Sequence, residues 1–418
     1  MRIGVVRETA EGERRVALTP GQIAPLTKAG HEILIESGAG RDAGFTDDAF
    51  RSADATLHDT REHIVQQAEM LVQVRMPTAN PDQGEKDIGL LRSDMIVIGL
   101  GEPLSRREPI EALAQTGVTS FALELLPRIT RAQAMDVLSS QANIAGYKAV
   151  ILAANNLPRL FPMMMTAAGT ITPARVFVVG AGVAGLQAIA TARRLGAKVS
   201  ATDVRAEVKE QVESLGATFL HVAQDASGEG GYAAEQTAEQ QRRQQQMMND
   251  AVAEADVVIT TAAIPGKRAP VLVSAEMVSR MKPGSVVVDL AAERGGNCEL
   301  TRPDEVVIEH DVTILGPRNV PAQVAYHASQ TYARNITAFV QHLAPEGELH
   351  IDRDDQITAD TLLTRAGEIV QPKVRAHFDL PAVSTSHTQT APDRERTAST
   401  SSEQSVATHE EPSGGSGE

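Results

Sequence analysis

The residues whose types and spacing can do chemistry begin with glycines. Residues 175–186 read Arg-Val-Phe-Val-Val-Gly180-Ala181-Gly182-Val183-Ala184-Gly185-Leu186, an apolar β-rich run that enters Gly-x-Gly-x-x-Gly and leaves as a helical pattern. Gly180 permits a tight turn, Gly182 lets a pyrophosphate approach the backbone, and Gly185 permits close helix–strand packing. Phosphates would then sit on free N–H groups at the positive end of the helix. The run 198–203 ends in Asp203, a carboxylate suited to the adenosine ribose hydroxyls and repellent to a 2′-phosphate. This favours NAD over NADP. Val204 and Arg205 follow, and Arg205 weakens the exclusion because an NADP site would use arginine. The glycines alone would also suit an ordinary tight turn; the strand before, the helix after and the acid argue for a dinucleotide.

Two further loops are expected at the same sheet edge, lining the nicotinamide end. One follows the apolar run from Asp256 and carries Ala262, Ile264, Pro265, Gly266 and Lys267. The other follows Val286-Val-Val-Asp289 and carries Glu293, Gly295-Gly296-Asn297 and Cys298. Cys298 has no evident His and Asp constellation, so packing is favoured over nucleophilic chemistry.

The elements that position these residues follow from hydrophobic periodicity. Strands are expected at 2–6, 32–36, 70–75, 95–100 and 119–123, with helical spacing at 21–29 and 60–68 between them. No glycine fingerprint follows any of these strands, so the first unit resembles a nucleotide fold without its own phosphate loop. A long helix is expected from 131 to about 155, and a second at 322–342 returns the chain to the first unit. Between them lie strands at 175–179, 198–202, 218–220, 255–260, 285–290 and 313–315. The expected fold is therefore α/β: two Rossmann-like domains with parallel sheets, joined by two long helices, with the NAD cleft between them. The first domain is discontinuous (1–141 plus 322–380), the second spans 142–321, and 381–418 is a disordered tail. Residues 234–246, rich in Gln, Glu and Arg, read as a solvated helix.

Composition limits the partners. The chain has 418 residues with 8 Phe, 4 Tyr and 0 Trp, so its cores must be aliphatic. A net charge of −15 argues against nucleic acid and against a polybasic membrane anchor. One cysteine excludes an intramolecular disulfide and an all-Cys metal cage, and no metal site is expected. The longest apolar stretch, 176–192, holds three glycines and a Gln and falls short of a spanning helix. The tail from 385 is almost wholly Ser, Thr, Gly, Pro and charge, too polar to bury a core. A soluble, intracellular protein is the expectation from these features.

With these runs in place, the chain resembles the NAD(H)-binding soluble subunit, domain I, of proton-translocating NAD(P) transhydrogenase, a family that shares its fold with alanine dehydrogenase. The resemblance covers about residues 1–380. It rests on Arg7-Glu8, on Arg14-Arg15-Val-Ala-Leu-Thr-Pro20, and on Pro127-Arg-Ile-Thr-Arg-Ala-Gln133-Ala-Met-Asp136 through Ser139-Ser-Gln141. Gly230-Gly-Tyr232-Ala, Ile264-Pro-Gly-Lys267 and Gly295-Gly-Asn-Cys298 complete it. The resemblance implies a Re/Si-specific hydride transfer between NAD(H) on this chain and NADP(H) on a partner subunit. Separate membrane subunits would couple it to proton translocation. It further implies a homodimer, held peripherally on the cytoplasmic side of the membrane through its partners. Arg128, Gln133, Asp136 and Ser139 would stand near the nicotinamide, Asp136 fixing Arg128 and Gln133 bridging toward the NADP partner. Tyr232 would belong to a mobile loop that closes over nucleotide. Without the resemblance, Arg128 and Asp136 read equally well as a helix cap and a surface ion pair.

Two rivals differ in kind. An alanine dehydrogenase needs a proton-transfer pair, typically Lys and His, and a carboxylate-binding arginine. Arg15 is present, but Arg75 stands at the lysine position, Leu100-Gly101-Glu102-Pro103 offers no histidine, and the loop acid is Glu293 rather than Asp. The other rival is an NAD(H)-binding module without chemistry.

Overall fold

The computed structural model describes residues 1–221, 238–263 and 266–381, and all statements below concern these residues. Its strands, in chain order, are β1 Arg2–Val5, β2 Glu32–Glu36, β3 Thr56–His58, β4 Met70–Arg75, β5 Ile96–Leu100 and β6 Thr119–Ala122. A small antiparallel hairpin follows, β7 Met164–Thr166 and β8 Gly169–Ile171. Then come β9 Arg175–Val179, β10 Lys198–Thr202, β11 Thr218–Phe219, β12 Val257–Thr260, β13 Val286–Asp289, β14 Val306–Glu309 and β15 Val312–Leu315, and finally β16 Leu362–Arg365 and β17 Glu368–Ile369.

They form two large sheets, each the centre of an α/β domain. The first has the order β17-β16-β6-β5-β4-β1-β2-β3, and the second β11-β10-β9-β12-β13-β15-β14. Pairing is parallel through the middle of both, with β16, β17 and β14 added antiparallel at the edges. The aliphatic strands explain the burial on both faces: Val176, Val178, Val286 and Val288 pack to one side of the second sheet, and Phe177, Val258 and Val287 to the other. In each sheet the chain leaves the central strand in one direction and later resumes on its other side, between β1 and β4 and between β9 and β12. Such reversals open a crevice at the C-terminal ends of the strands.

Two long helices join the domains. The first is Val137–Asn156, not a helix from residue 131: residues Thr130–Met135 form a 3-10 turn, and Asp136 caps the helix by accepting from Ser139 N at 2.9 Å. The second, Ala325–Leu343, starts three residues later than expected because the 3-10 segment Val320–Val324 precedes it. The strands β3, β14, β16 and β17 and the hairpin are additions to the sequence reading. The Gln-rich segment is helical, Ala238–Glu254, but it continues far enough to bury Met248 and Val252. The tail expected at 381–418 lies, from residue 382 on, outside the described residues.

Helix Val137–Asn156 runs against helix Val183–Arg194, and Gly146 makes the approach possible. A Cβ at Gly146 would stand 2.1 Å from the Ala184 carbonyl oxygen. Alanine is worth up to about 1 kcal/mol over glycine by helix propensity alone, whereas overpacking of this kind costs about 1–3 kcal/mol. Gly146→Ala is therefore expected to lower the urea midpoint at constant m-value; a raised midpoint would show that the helices yield.

Candidate functional site

The crevice of the second sheet is shaped by the three glycines, each for a different reason. Gly180 has φ +96, and a Cβ there would lie 2.6 Å from Thr261 Oγ1. A Cβ at Gly185 would lie 1.9 Å from the Gly180 carbonyl oxygen, so only glycine lets the helix start this close to the strand. A Cβ at Gly182 would meet nothing within 4 Å: this backbone faces open space, as a phosphate cradle requires. No side chain caps the helix that begins at Val183, which leaves its first N–H groups available to an anion. Val183 itself is exposed at the rim, and Ala181 is buried. These residues fit a dinucleotide.

Asp203 follows β10 and points back into this loop. Its Oδ2 accepts from Ala181 N at 2.7 Å, and its Oδ1 from Arg205 N and Arg205 Nε, both at 2.9 Å. Arg205 Nη2 adds a bond to Oδ2 at 3.1 Å. Burial pushes this carboxyl up, but the Arg205 hydrogen bonds and the two backbone donors outweigh it and hold Asp203 below the usual carboxylate range. Arg205 is thus folded onto Asp203 rather than held out as a separate phosphate ligand, while Val204 is exposed beside the pair.

The loops after β12 and β13 are fastened to this crevice by polar groups that the sequence reading did not single out. Thr261 Oγ1 donates to the Gly180 carbonyl at 3.0 Å. Asn297 Oδ1 accepts from Ala262 N, and its Nδ2 donates to the Ala262 and Pro270 carbonyls. Asp289 is fully buried and accepts from Thr260 Oγ1, Ala291 N, Asn297 N, Cys298 N and Thr301 Oγ1. A buried carboxylate saturated in this way fixes the glycine-rich turn around it. The available signal was an acid closing the all-apolar strand Val286-Val-Val-Asp289. Gly266, at φ +70, packs against Leu104 of the first domain. Cys298 is buried and burial pushes its thiol up, which suits packing. Tyr232, with Gly230 and Gly231, and the pair Ile264 and Pro265 lie outside the described residues.

The crevice of the first sheet is filled with charge. Glu8 takes the place of a phosphate loop, accepting from Val74 N at 2.6 Å and Arg75 N at 3.2 Å. Arg15 donates to Glu13 through Nε and Nη2 at 2.8 and 2.7 Å, to Gln141 at 3.0 Å and to Asn319 at 3.1 Å. Arg75 reaches Glu13 at 3.3 Å, Glu102 at 3.2 Å and Glu293 at 3.9 Å. Glu293 also accepts from Asn319 N at 2.6 Å, so it sits with the first-domain arginine. A cavity of about 230 Å³ opens here between the domains, lined by Arg15, Arg75, Glu102, Glu124, Glu293 and Asn319 among others.

Burial and the Glu13 charge push Glu8 up to about 8. Burial also pushes Glu13 up, but Arg15 and then Arg75 reverse this and hold it at about 2. Glu124 is raised by burial to about 7; its Oε1 accepts from Glu102 N at 2.6 Å, and its enclosed Oε2 has no partner among the described residues.

The third group is the turn 127–136. Arg128 and Gln133 are exposed, and their side chains make no hydrogen bond or ion pair among the described residues. Asp136 does not fix Arg128. Its carboxylate caps the long helix, taking the Ser139 N–H at 2.9 Å and Ser139 Oγ at 2.5 Å. The same helix carries Gly146 against the start of the glycine-loop helix, about 15 Å along its axis from the cap at Asp136. One rigid element thus links the turn to the dinucleotide crevice.

Residues 4–145 match the family model described as Alanine dehydrogenase/PNT, N-terminal domain, and residues 149–372 match the corresponding C-terminal domain. The chain belongs to the alanine dehydrogenase/PNT family. Within this family it is 46% identical over 385 residues to an NAD(P) transhydrogenase subunit alpha chain of Rhodospirillum rubrum, covering 89% of this chain and 98% of that one. It is 30% identical over 388 residues to alanine dehydrogenase of Mycobacterium tuberculosis, covering 91% of this chain and 98% of that enzyme. A crystal structure of transhydrogenase from Sinorhizobium meliloti superposes with a TM-score of 0.80 at 44% identity, covering 88% of this chain and 100% of the other. An L-alanine dehydrogenase structure gives 0.76 at 28%, covering 91% and 99%.

The charged crevice of this family member carries a pH signature. A carboxyl raised from 4.5 to about 7 on folding contributes stability that is full below 4.5 and is lost as pH rises through 7. The melting temperature should therefore fall between pH 5 and pH 8, and Glu124→Gln should make that fall smaller. Glu8 titrates over the same range, so some of the fall remains. An equal fall in wild type and variant would contradict the assignment.

Proposed function

We propose that this chain is the NAD(H)-binding subunit of a proton-translocating transhydrogenase. It would hold NAD(H) while a partner subunit holds NADP(H), with hydride passing directly between the two nicotinamides. The reading rests on one contrast between the two crevices. The second has open backbone for a dinucleotide, whereas the two arginines at the heart of the first are taken up by its own carboxylates. Arg15 and Arg75 face Glu13, Glu102 and Glu293, which leaves neither guanidinium free for an amino-acid carboxylate. Neither lysine nor histidine, the usual pair for the proton transfers of amino-acid oxidation, is among the residues lining this cavity. The 46% identity to a transhydrogenase alpha subunit points the same way.

Bound NADH would supply the hydride, and the exchange between two nicotinamides releases no free proton. The residues of this chain are then needed for placement and charge rather than acid–base chemistry. Gly180, Ala181, Gly182, Val183 and Gly185 would cradle the pyrophosphate. Asp203, with Val204 and Arg205, would define the adenosine end. Ala262, Ile264, Pro265, Gly266 and Tyr232 would enclose the nicotinamide end. Glu293 would act through the charged cluster. Arg128 and Gln133, exposed on one turn, suit contact with the incoming NADP subunit, while Asp136 and Ser139 hold the start of the helix behind them.

The assembly would be peripheral on the cytoplasmic face of the membrane, through a membrane subunit that couples transfer to proton movement. No described helix is long and apolar enough to cross a membrane. The hairpin β7–β8 suits a homodimer contact: Met163, Met164, Met165 and Ile171 are all exposed on it, and Met165 is 79% exposed. So much solvated apolar surface on one short hairpin favours burial against a second copy.

Three measurements test this. Mixed with its NADP-binding subunit and an NAD analogue, the chain should support analogue reduction by NADPH and should form no NADH from alanine. Arg128→Ala should slow transfer about 10²-fold with little change in NADH affinity; equal losses in both would contradict its role. Met165→Asp should shift the sedimenting species from dimer to monomer, and an unshifted dimer would place the contact elsewhere.

A further inference from the structure

The turn that presents Arg128 and Gln133 has little regular structure of its own: a single six-residue 3-10 segment, Thr130–Met135. Ala132 and Met135 pin it to the first-domain core by burial. Ile129 packs against the same core, and two polar anchors come from more than 200 residues further along the chain. Asn335, on the second long helix, donates through Nδ2 to the Ala134 carbonyl at 2.7 Å. Arg131, exposed on the turn, pairs with Asp355, whose side chain is mostly buried.

Asp355 is itself held rigidly. Its Oδ1 caps the helix Gln356–Thr361 by accepting from Ile357 N at 2.9 Å and Thr358 N at 3.2 Å. His342 Nε2 stands 3.3 Å from the same oxygen and 3.0 Å from Thr358 Oγ1. Burial opposes its ionisation, but the Arg131 hydrogen bond and the cap keep the carboxyl below its usual value. A flexible arginine on an exposed turn thus meets an anion that cannot move. Arg128 stands two residues before the segment and Gln133 within it, and a swing at Arg131 would carry both.

We propose that Asp355 and Asn335 are positioning residues for hydride transfer: through Arg131 and the Ala134 carbonyl they hold the turn 127–136 at the geometry in which Arg128 and Gln133 meet the second nucleotide. This rests on the transhydrogenase reading. A misplacement of this kind costs turnover rather than affinity, because the groups it disturbs act between two nucleotides and not on the one bound here.

The test combines activity with a measurement that needs none. Arg131→Ala removes an exposed side chain, and Asp355→Asn keeps a good helix cap while removing the charge. With the NADP-binding subunit present, each single variant should reduce the maximal transfer rate about three- to tenfold at unchanged NADH affinity. The double variant should be no worse than the weaker single one, and Arg131→Lys should recover most of the rate. Hydrogen exchange of the isolated chain should show amides 128–134 opening about three- to tenfold faster in both variants. Additive losses, or exchange equal to wild type, would overturn the proposal. Exchange protection that depends on Arg131 in a wild-type chain inactive with its partner would instead uphold the tether and refute the transhydrogenase reading.

Discussion

The buried Glu13–Arg15 pair is the interaction on which the relation between the two domains depends. Both side chains are almost wholly enclosed, and neither charge is tolerable there without the other. The pair also hydrogen-bonds Gln141 of the first long helix and Asn319 of the segment leading to the second. Removing one partner of such a pair strands a buried charge and typically costs about 3–5 kcal/mol. The same contacts therefore stabilise the first domain and fix where the second begins.

The two sheets solve a common topological problem in opposite ways. Each opens a crevice where strand order reverses, and an empty crevice exposes backbone N–H groups that need acceptors. At β1 and β4 the protein supplies its own acceptor, Glu8, and then balances the resulting charge with arginines and further acids. At β9 and β12 it removes side chains instead, leaving Gly182 open and tying the neighbouring loops down with Asp289 and Asn297. Only the second arrangement leaves donors for phosphate. The difference explains why a chain with two similar domains has one dinucleotide crevice.

Much of this was legible in the sequence where the constraint was local. Each glycine of 180–185 reports a backbone position that a Cβ would spoil, and strand, turn and helix are contiguous there. The aliphatic runs that became β4, β5, β9, β12 and β13 were equally readable, since a parallel strand covered on both faces must be apolar throughout. The start of the first long helix was misplaced because apolar periodicity runs on through residues 130–135, whereas the cap at Asp136 depends on where its side chain turns. The same cap removed the expected Arg128–Asp136 pairing. Short edge strands such as β14, β16 and β17 carry too few residues for a pattern and take their conformation from the neighbour they pair with.

By itself, the sequence determined the α/β class, the position of the dinucleotide loop and the acid that faces it. These follow from residue type and short-range spacing. Tertiary structure alone decided what the charges do. Glu13, Arg15, Arg75 and Glu293 are separated by up to 280 residues, yet they neutralise one another in one crevice. Asn335 and Asp355 reach a turn more than 200 residues earlier. A charge in a sequence carries no record of its partner: the partner is chosen by burial, which makes an unpaired charge costly only once the chain has folded around it.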